Sequence, residues 1–89
     1  MKQARTTGQF SRDYLRMAKR GKKVEKLDAA MTLLLQAEPL PSRYRDHALK
    51  GDFAGCRDCH IEPDWLLIYK ADSETVTFIR TGTHSDIFR

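Results

Sequence analysis

All three histidines of the chain, His47, His60 and His84, fall in its back half, with Asp64 and Arg80 among them. An imidazole changes charge near neutral pH and can give or take a proton there. A guanidinium stays charged and suits an anionic centre. Together these residues could run acid–base chemistry on an anionic substrate. Taken singly, each histidine is more often an ordinary surface or core residue than a catalytic one.

A second set overlaps the first. CRDCH, Cys56 to His60, has the C-x-x-C-H spacing of a haem attachment site. Zinc is the other chemistry that two thiols and an imidazole suggest, with His47 or His84 completing the ligands. Strand alternation argues against both. In a strand over 53–61, Cys56, Asp58 and His60 face one way and Arg57, Cys59 and Ile61 the other. The two thiols then cannot clasp one ligand. The expectation is no metal and no cofactor, with both cysteines as small, partly buried strand residues.

The elements must bring the histidines together. With 89 residues, one domain spanning 1–89 is expected. Phe10, Tyr14, Met17 and Ala18 recur at helical spacing, with Ser11 as candidate N-cap, Asp13 in the first turn and Gly21 as the stop. Val24, Leu27, Met31, Leu34 and Leu35 form a second apolar stripe, ended by Pro39 and Pro41. A polar loop, LPSRYRDHALKGD, follows. The period then changes, and FAGCRDCHI, DWLLIYK and TVTFIR read as three strands. Pro63-Asp64 separates the first two, and residues 71–74 form a hairpin turn before the third. A weak strand is expected over 3–8, and TGTHSDIFR reads as a short polar tail. The plan is α+β: two N-terminal helices packed on one face of a small antiparallel sheet.

Charge is unevenly spread. Residues 1–26 carry nine Lys or Arg and two acids, a formal +7, while the remainder sums to −3. Such asymmetry fits a polyanion or an acidic partner, and equally a solvated helix face. Hydrophobic residues make up 40% and charged residues 31%, as in ordinary globular proteins. No apolar run approaches the roughly 20 residues that span a bilayer. The basic N-terminus lacks an apolar segment after it, so the expected setting is cytoplasmic, without membrane contact.

The stretch from Leu40 to Phe88 carries a more specific signal. DHALKG from Asp46 to Gly51, GCRDCHIEPDWLLIYK from Gly55 to Lys70 and RTGTH from Arg80 to His84, in that order, resemble the RelE/ParE toxin superfamily and within it the YafQ-type branch. The helical MTLL before the two prolines also fits, and the likeness covers most of residues 10–89. The resemblance implies a ribosome-dependent mRNA endonuclease, the toxin of a type II toxin–antitoxin pair. It implies a microbial-ribonuclease-like fold. The implied partners are a cognate antitoxin, the ribosome and its mRNA, and operator DNA reached through the antitoxin complex.

RNA can be cut without a metal when its 2′-hydroxyl attacks the adjacent phosphorus, leaving a 2′,3′-cyclic phosphate and a 5′-hydroxyl. That needs a base, an acid and a cation for the phosphorane. Carried over to matching positions, the resemblance makes His47, His60, Asp64 and His84 the acid–base set and Arg80 the phosphate ligand. It suggests His84 as general acid and Asp64 or His60 as base. Trp65 and Phe88 would stack on bases, although Trp65 shares strand parity with Leu67 and Tyr69 and reads equally as core. Arg12, Arg16, Lys19, Arg20, Lys22, Lys23 and Lys26 would dock ribosomal RNA through its phosphates.

Two rivals stay open at the level of sequence. One is a ParE-like relative without nuclease chemistry that binds a topoisomerase. The other is a basic nucleic-acid-binding module whose histidines are incidental.

Overall fold

The computed structural model describes residues 1–88. The chain runs β1 (Gln3–Thr6), α1 (Gly8–Lys19), α2 (Val24–Leu35), β2 (His47–Ala48), β3 (Arg57–Glu62), β4 (Trp65–Ala71), β5 (Thr75–Gly82) and α3 (His84–Phe88). The sheet order is β1-β5-β4-β3-β2. β3, β4 and β5 form the expected antiparallel meander. Two additions change the picture. β2 pairs antiparallel with β3, and β1 lies parallel to β5, so the five-stranded sheet is mixed. The polar tail is also not irregular: Thr81 and Gly82 end β5 and His84–Phe88 form α3, while Arg89 lies outside the described residues. No helix among the described residues is long and apolar enough to cross a membrane.

The first helix starts earlier than its spacing suggested. Thr7, not Ser11, is the N-cap. Its hydroxyl oxygen accepts from the Phe10 amide at 2.9 Å and donates to the Ile79 carbonyl at 2.8 Å. One side chain thus satisfies an orphan helix donor and ties the helix start to β5. Asp13 accordingly sits in the helix body and is fully buried, rather than complementing the dipole in the first turn. Gly21 does end α1: at φ 86 it occupies the left-handed region and closes the turn with its amide on Ala18 O. Ala37, at φ 57, closes α2 in the same way without glycine, before either proline is reached.

Both long helices cover one face of the sheet. Phe10, Met17, Leu27 and Ala30 pack with Cys59, Trp65, Leu67, Tyr69, Val76 and Phe78 in one buried cluster. Alternation places Asp58, His60, Leu66 and Ile68 on the opposite face. Leu66 and Ile68 are also fully buried. The sheet is therefore apolar on both faces at its centre, and on the second face Asp58 and His60 of β3 lie next to His47 of β2.

The loop between α2 and β3 is more ordered than its polarity implied. It contains a 3-10 turn at Ser42–Tyr44, the strand that carries His47, and a second 3-10 turn at Gly51–Phe53. β3 begins at Arg57 rather than Phe53, so Cys56 lies outside it.

Candidate active site

Each histidine is held by a different element. His47 stands on β2 opposite Asp58 of β3. Its Nδ1 lies 2.8 Å from the Arg45 carbonyl oxygen. A carbonyl only accepts, so Nδ1 carries the proton and Nε2 is the free nitrogen of the neutral ring. Arg45 delivers that carbonyl from a left-handed backbone, φ 50, a conformation that costs free energy in a residue other than glycine.

His60 occupies the middle of a row. Its ring centroid is 6.2 Å from His47 and 5.8 Å from His84. Its Nδ1 is buried and has no protein partner among the described residues.

His84 opens α3. Asp64, in the β3–β4 turn, binds it twice through one oxygen: the His84 amide donates at 2.9 Å and Nδ1 lies at 2.5 Å. These bonds, the amide first and the imidazole second, hold the Asp64 carboxyl below its ordinary range. An ionised carboxylate only accepts, so Nδ1 bears the proton and Nε2 is left for chemistry. α3 is short and is held from outside. Thr83 and Asp86 cap each other, the Thr83 amide donating to Asp86 at 2.9 Å and the Asp86 amide to the Thr83 hydroxyl at 3.1 Å. Arg20 of α1 clasps the same carboxylate with two bonds of 2.7 and 3.0 Å.

Asp58 belongs to this cluster although the sequence reading did not select it. It is 4% exposed, sits 3.7 Å from His47 Nε2 through Oδ2, and its Oδ1 has no protein partner among the described residues. Burial pushes its carboxyl up, while His60, His47 and His84 pull it back. Alternation already placed it beside His60. What the sequence lacked was any sign that the position is buried.

Other expectations are altered by what the side chains touch. Arg80 does not present a free guanidinium. Its Nε and Nη2 donate to buried Asp13 at 2.7 and 3.3 Å, which leaves Nη1 unused by that carboxylate. Trp65 is fully buried and donates from Nε1 to Thr81 at 2.9 Å, so it has no face to offer a base. The core reading of Trp65 is the correct one. Phe88 is 46% exposed and meets Phe53 edge-on at 5.7 Å. Of the seven basic residues expected to dock ribosomal RNA, Arg16 and Arg20 are tied to Asp13 and Asp86, and Lys22 and Lys26 to Glu62. Arg12, Lys19 and Lys23 stand outside ion pairs among the described residues. CRDCH is no clasp. Cys59 lies in the core, its thiol pushed up to about 12 by burial, while Asp58 and His60 face the other side.

Helices on one face of a small mixed sheet, with a row of imidazoles at one edge of the other, define a compact α+β toxin domain of the RelE/ParE plan. A family model described as the bacterial toxin of type II toxin-antitoxin systems, YafQ, matches residues 2–89. The mRNA interferase toxin YafQ of Escherichia coli is 48% identical over 83 residues, which span 92% of this chain and 90% of that protein. The crystal structure of YafQ from E. coli superposes with a TM-score of 0.95 at 43% identity, over 100% of both chains. The toxin in the E. coli DinJ-YafQ toxin-antitoxin complex gives 0.92 at 45% identity, covering 99% of this chain and 98% of that one. The chain belongs to the YafQ family of bacterial type II toxins.

Proposed function

We propose that this toxin is a ribosome-dependent endoribonuclease that cuts mRNA in the A site by acid–base catalysis. The observation that carries the reading is the row His47–His60–His84 with Asp64 fixed on His84. In-line attack needs a proton acceptor at the 2′-oxygen and a donor at the leaving 5′-oxygen, on opposite sides of phosphorus. Two neighbouring imidazoles supply both. Asp64 is committed to Nδ1 of His84, so it orients the acid rather than serving as base. The base is then His60, and His84 protonates the leaving oxygen from Nε2. His47, when protonated, and the Nη1 side of Arg80 steady the phosphorane. Phe88 offers an exposed ring for a base.

A cognate antitoxin is the proposed inhibitor, with operator DNA reached through their complex. Ribosomal RNA phosphates are the proposed counterpart of Arg12, Lys19 and Lys23, while Arg16, Arg20, Lys22 and Lys26 contribute mainly by holding α3 and the β3–β4 turn. The site acts in the cytoplasm, where translating ribosomes are.

The test is primer extension on an mRNA held in programmed ribosomes. Wild type is expected to leave an A-site cut with a 5′-hydroxyl end, and His84→Ala to lower kcat by about 10²–10⁴-fold. Intact mRNA with active, antitoxin-free protein sinks the nuclease reading.

A further inference from the structure

A cleft of about 690 Å³ opens beside His60, between the 3-10 turn at Ser42–Tyr44, α2 and the β3–β4 turn. Its charged lining is Lys26, Arg43, Arg45 and Glu62, and Tyr44 forms part of its wall. We infer that this cleft is a nucleotide subsite, which takes the nucleotide on the 5′ side of the cut. The inference rests on the nuclease reading above and adds to it where the substrate strand lies.

The charges come first. Glu62 is the carboxylate of the lining, and it is neutralised by Lys22 at 2.9 Å and Lys26 at 3.1 Å. The neighbouring Asp46 is turned onto Arg57 and the Tyr69 hydroxyl. No carboxylate among the described residues lies within ion-pair distance of Arg43 or Arg45. Two unpaired guanidiniums therefore face a concave surface whose remaining charge is balanced, a setting for an anion.

The geometry suits a nucleotide. The Arg43 guanidinium sits over the buried Tyr44 ring, its carbon 4.8 Å from the centroid, and Nη2 donates to the Tyr44 hydroxyl at 3.5 Å. A guanidinium held in that way is a preorganised plane that can stack on a base or fork onto a phosphate. Arg45 is held at its left-handed backbone by the same turn whose carbonyl orients His47. The cleft and the imidazole row thus share one rigid segment. The volume suits one or two nucleotide units rather than an extended helix of a protein partner.

Direction follows from the chemistry. His60 borders the cleft, and the base removes the 2′-proton of the nucleotide before the cut. That nucleotide must lie on the His60 side, and the leaving nucleotide on the His84 side. The cleft therefore reads the base whose 2′-hydroxyl attacks.

The experiment uses ribosomes programmed with an mRNA that carries 2′-deoxyribose at the cut site, so that binding is measured without cleavage. Three messages are compared: intact, abasic at the nucleotide before the cut, and truncated before the A site. The protein is wild type or Arg43→Gln/Arg45→Asn, where Asn tolerates the left-handed backbone and keeps the His47 anchor. Wild type is expected to lose about tenfold in affinity on the abasic message. The double variant should bind the intact message that much more weakly and ignore the missing base. Equal weakening on all three messages would make the arginines docking cations and overturn the subsite. So would a variant that stays sensitive to the abasic site, or one whose only loss is in antitoxin affinity. Cleavage of an unmodified message by the same wild-type preparation separates the two levels. If it cuts normally yet ignores the abasic site, the subsite alone falls; if it cuts nothing, the nuclease reading falls first.

Discussion

Asp58 and Asp64 lie on either side of the imidazole row and are held in opposite electrostatic states. Asp64 is exposed, doubly bonded to His84, and its carboxyl is lowered. Asp64→Asn replaces an obligate acceptor with an amide that can also donate, so Nδ1 of His84 loses its fixed proton. A fall in kcat of about 10- to 100-fold with an unchanged Tm is expected in single-turnover cleavage. Asp58 is buried and its carboxyl is raised. A carboxyl whose folded pKa exceeds its unfolded value, near 3.9, favours folding in its protonated form. That contribution is complete below the unfolded value and is lost as pH rises through the folded one. At neutral pH the ionised group is a cost that Asp58→Asn removes. Thermal melts should show a higher Tm for the variant at pH 7 and a smaller difference, or none, near pH 3. Cleavage should weaken nonetheless, because the imidazolium that His60 becomes on taking the 2′-proton loses a neighbouring carboxylate. A variant less stable at pH 7 than wild type would contradict this assignment.

At the scale of elements, α1 and α3 are braced to the sheet by buried or shielded ion pairs, and these braces set what the sequence could reveal. Buried Asp13 accepts from Gln9, Arg16, Arg80 and the Thr81 amide. Asp13→Ala strands the half-buried Arg80 and a buried amide, so a loss of about 3–5 kcal/mol is expected in urea unfolding. Asp86 is lowered chiefly by Arg20, with help from Thr83. A depressed carboxyl contributes stability that is present above its unfolded pKa, near 4, and lost as pH falls through the folded value. The Thr83 amide resonance should therefore hold its position well below pH 4, and shift near pH 4 in Arg20→Ala. Periodicity made the helix pair and the meander legible, because Met17, Leu27, Leu67 and Phe78 obey the spacing of the elements that bury them. It missed α3, since five residues are too few to show a period, although T-H-S-D carries the reciprocal cap. It missed the parallel β1–β5 pairing, whose register joins Gln3 to Thr75 across the whole chain. Ser11 and Thr7 are equally good caps by type; what selects Thr7 is its second bond, to Ile79 of β5. The histidines could be picked by type and motif. The shielding of Arg80, the loss of Trp65 to the core and the burial of Asp58 could not, because each depends on contacts made only after folding.

Across the whole molecule, the basic side chains assigned to docking divide into paired and unpaired cations. Arg16, Arg20, Lys22 and Lys26 are half spent on Asp13, Asp86 and Glu62, so their removal disturbs the elements that carry His84 and Asp64. Arg12 and Lys19 line one shallow groove of α1 beside Leu15, which is 61% exposed, and Lys23 follows in the turn before α2. In the proposed docking on ribosomal RNA all these charges would add to long-range attraction, but only the unpaired ones can displace counterions without breaking an internal bond. Arg12→Ala/Lys19→Ala/Lys23→Ala is therefore expected to leave Tm and kcat near wild type. It should lower kcat/KM on programmed ribosomes and make its dependence on log salt shallower by about two to three units. Arg16→Ala/Arg20→Ala should behave oppositely, lowering kcat through a displaced α3 with a smaller change in salt slope. Equal slopes for the two variants would mean that paired and unpaired cations meet the ribosome alike, and that the division between docking and bracing residues is wrong.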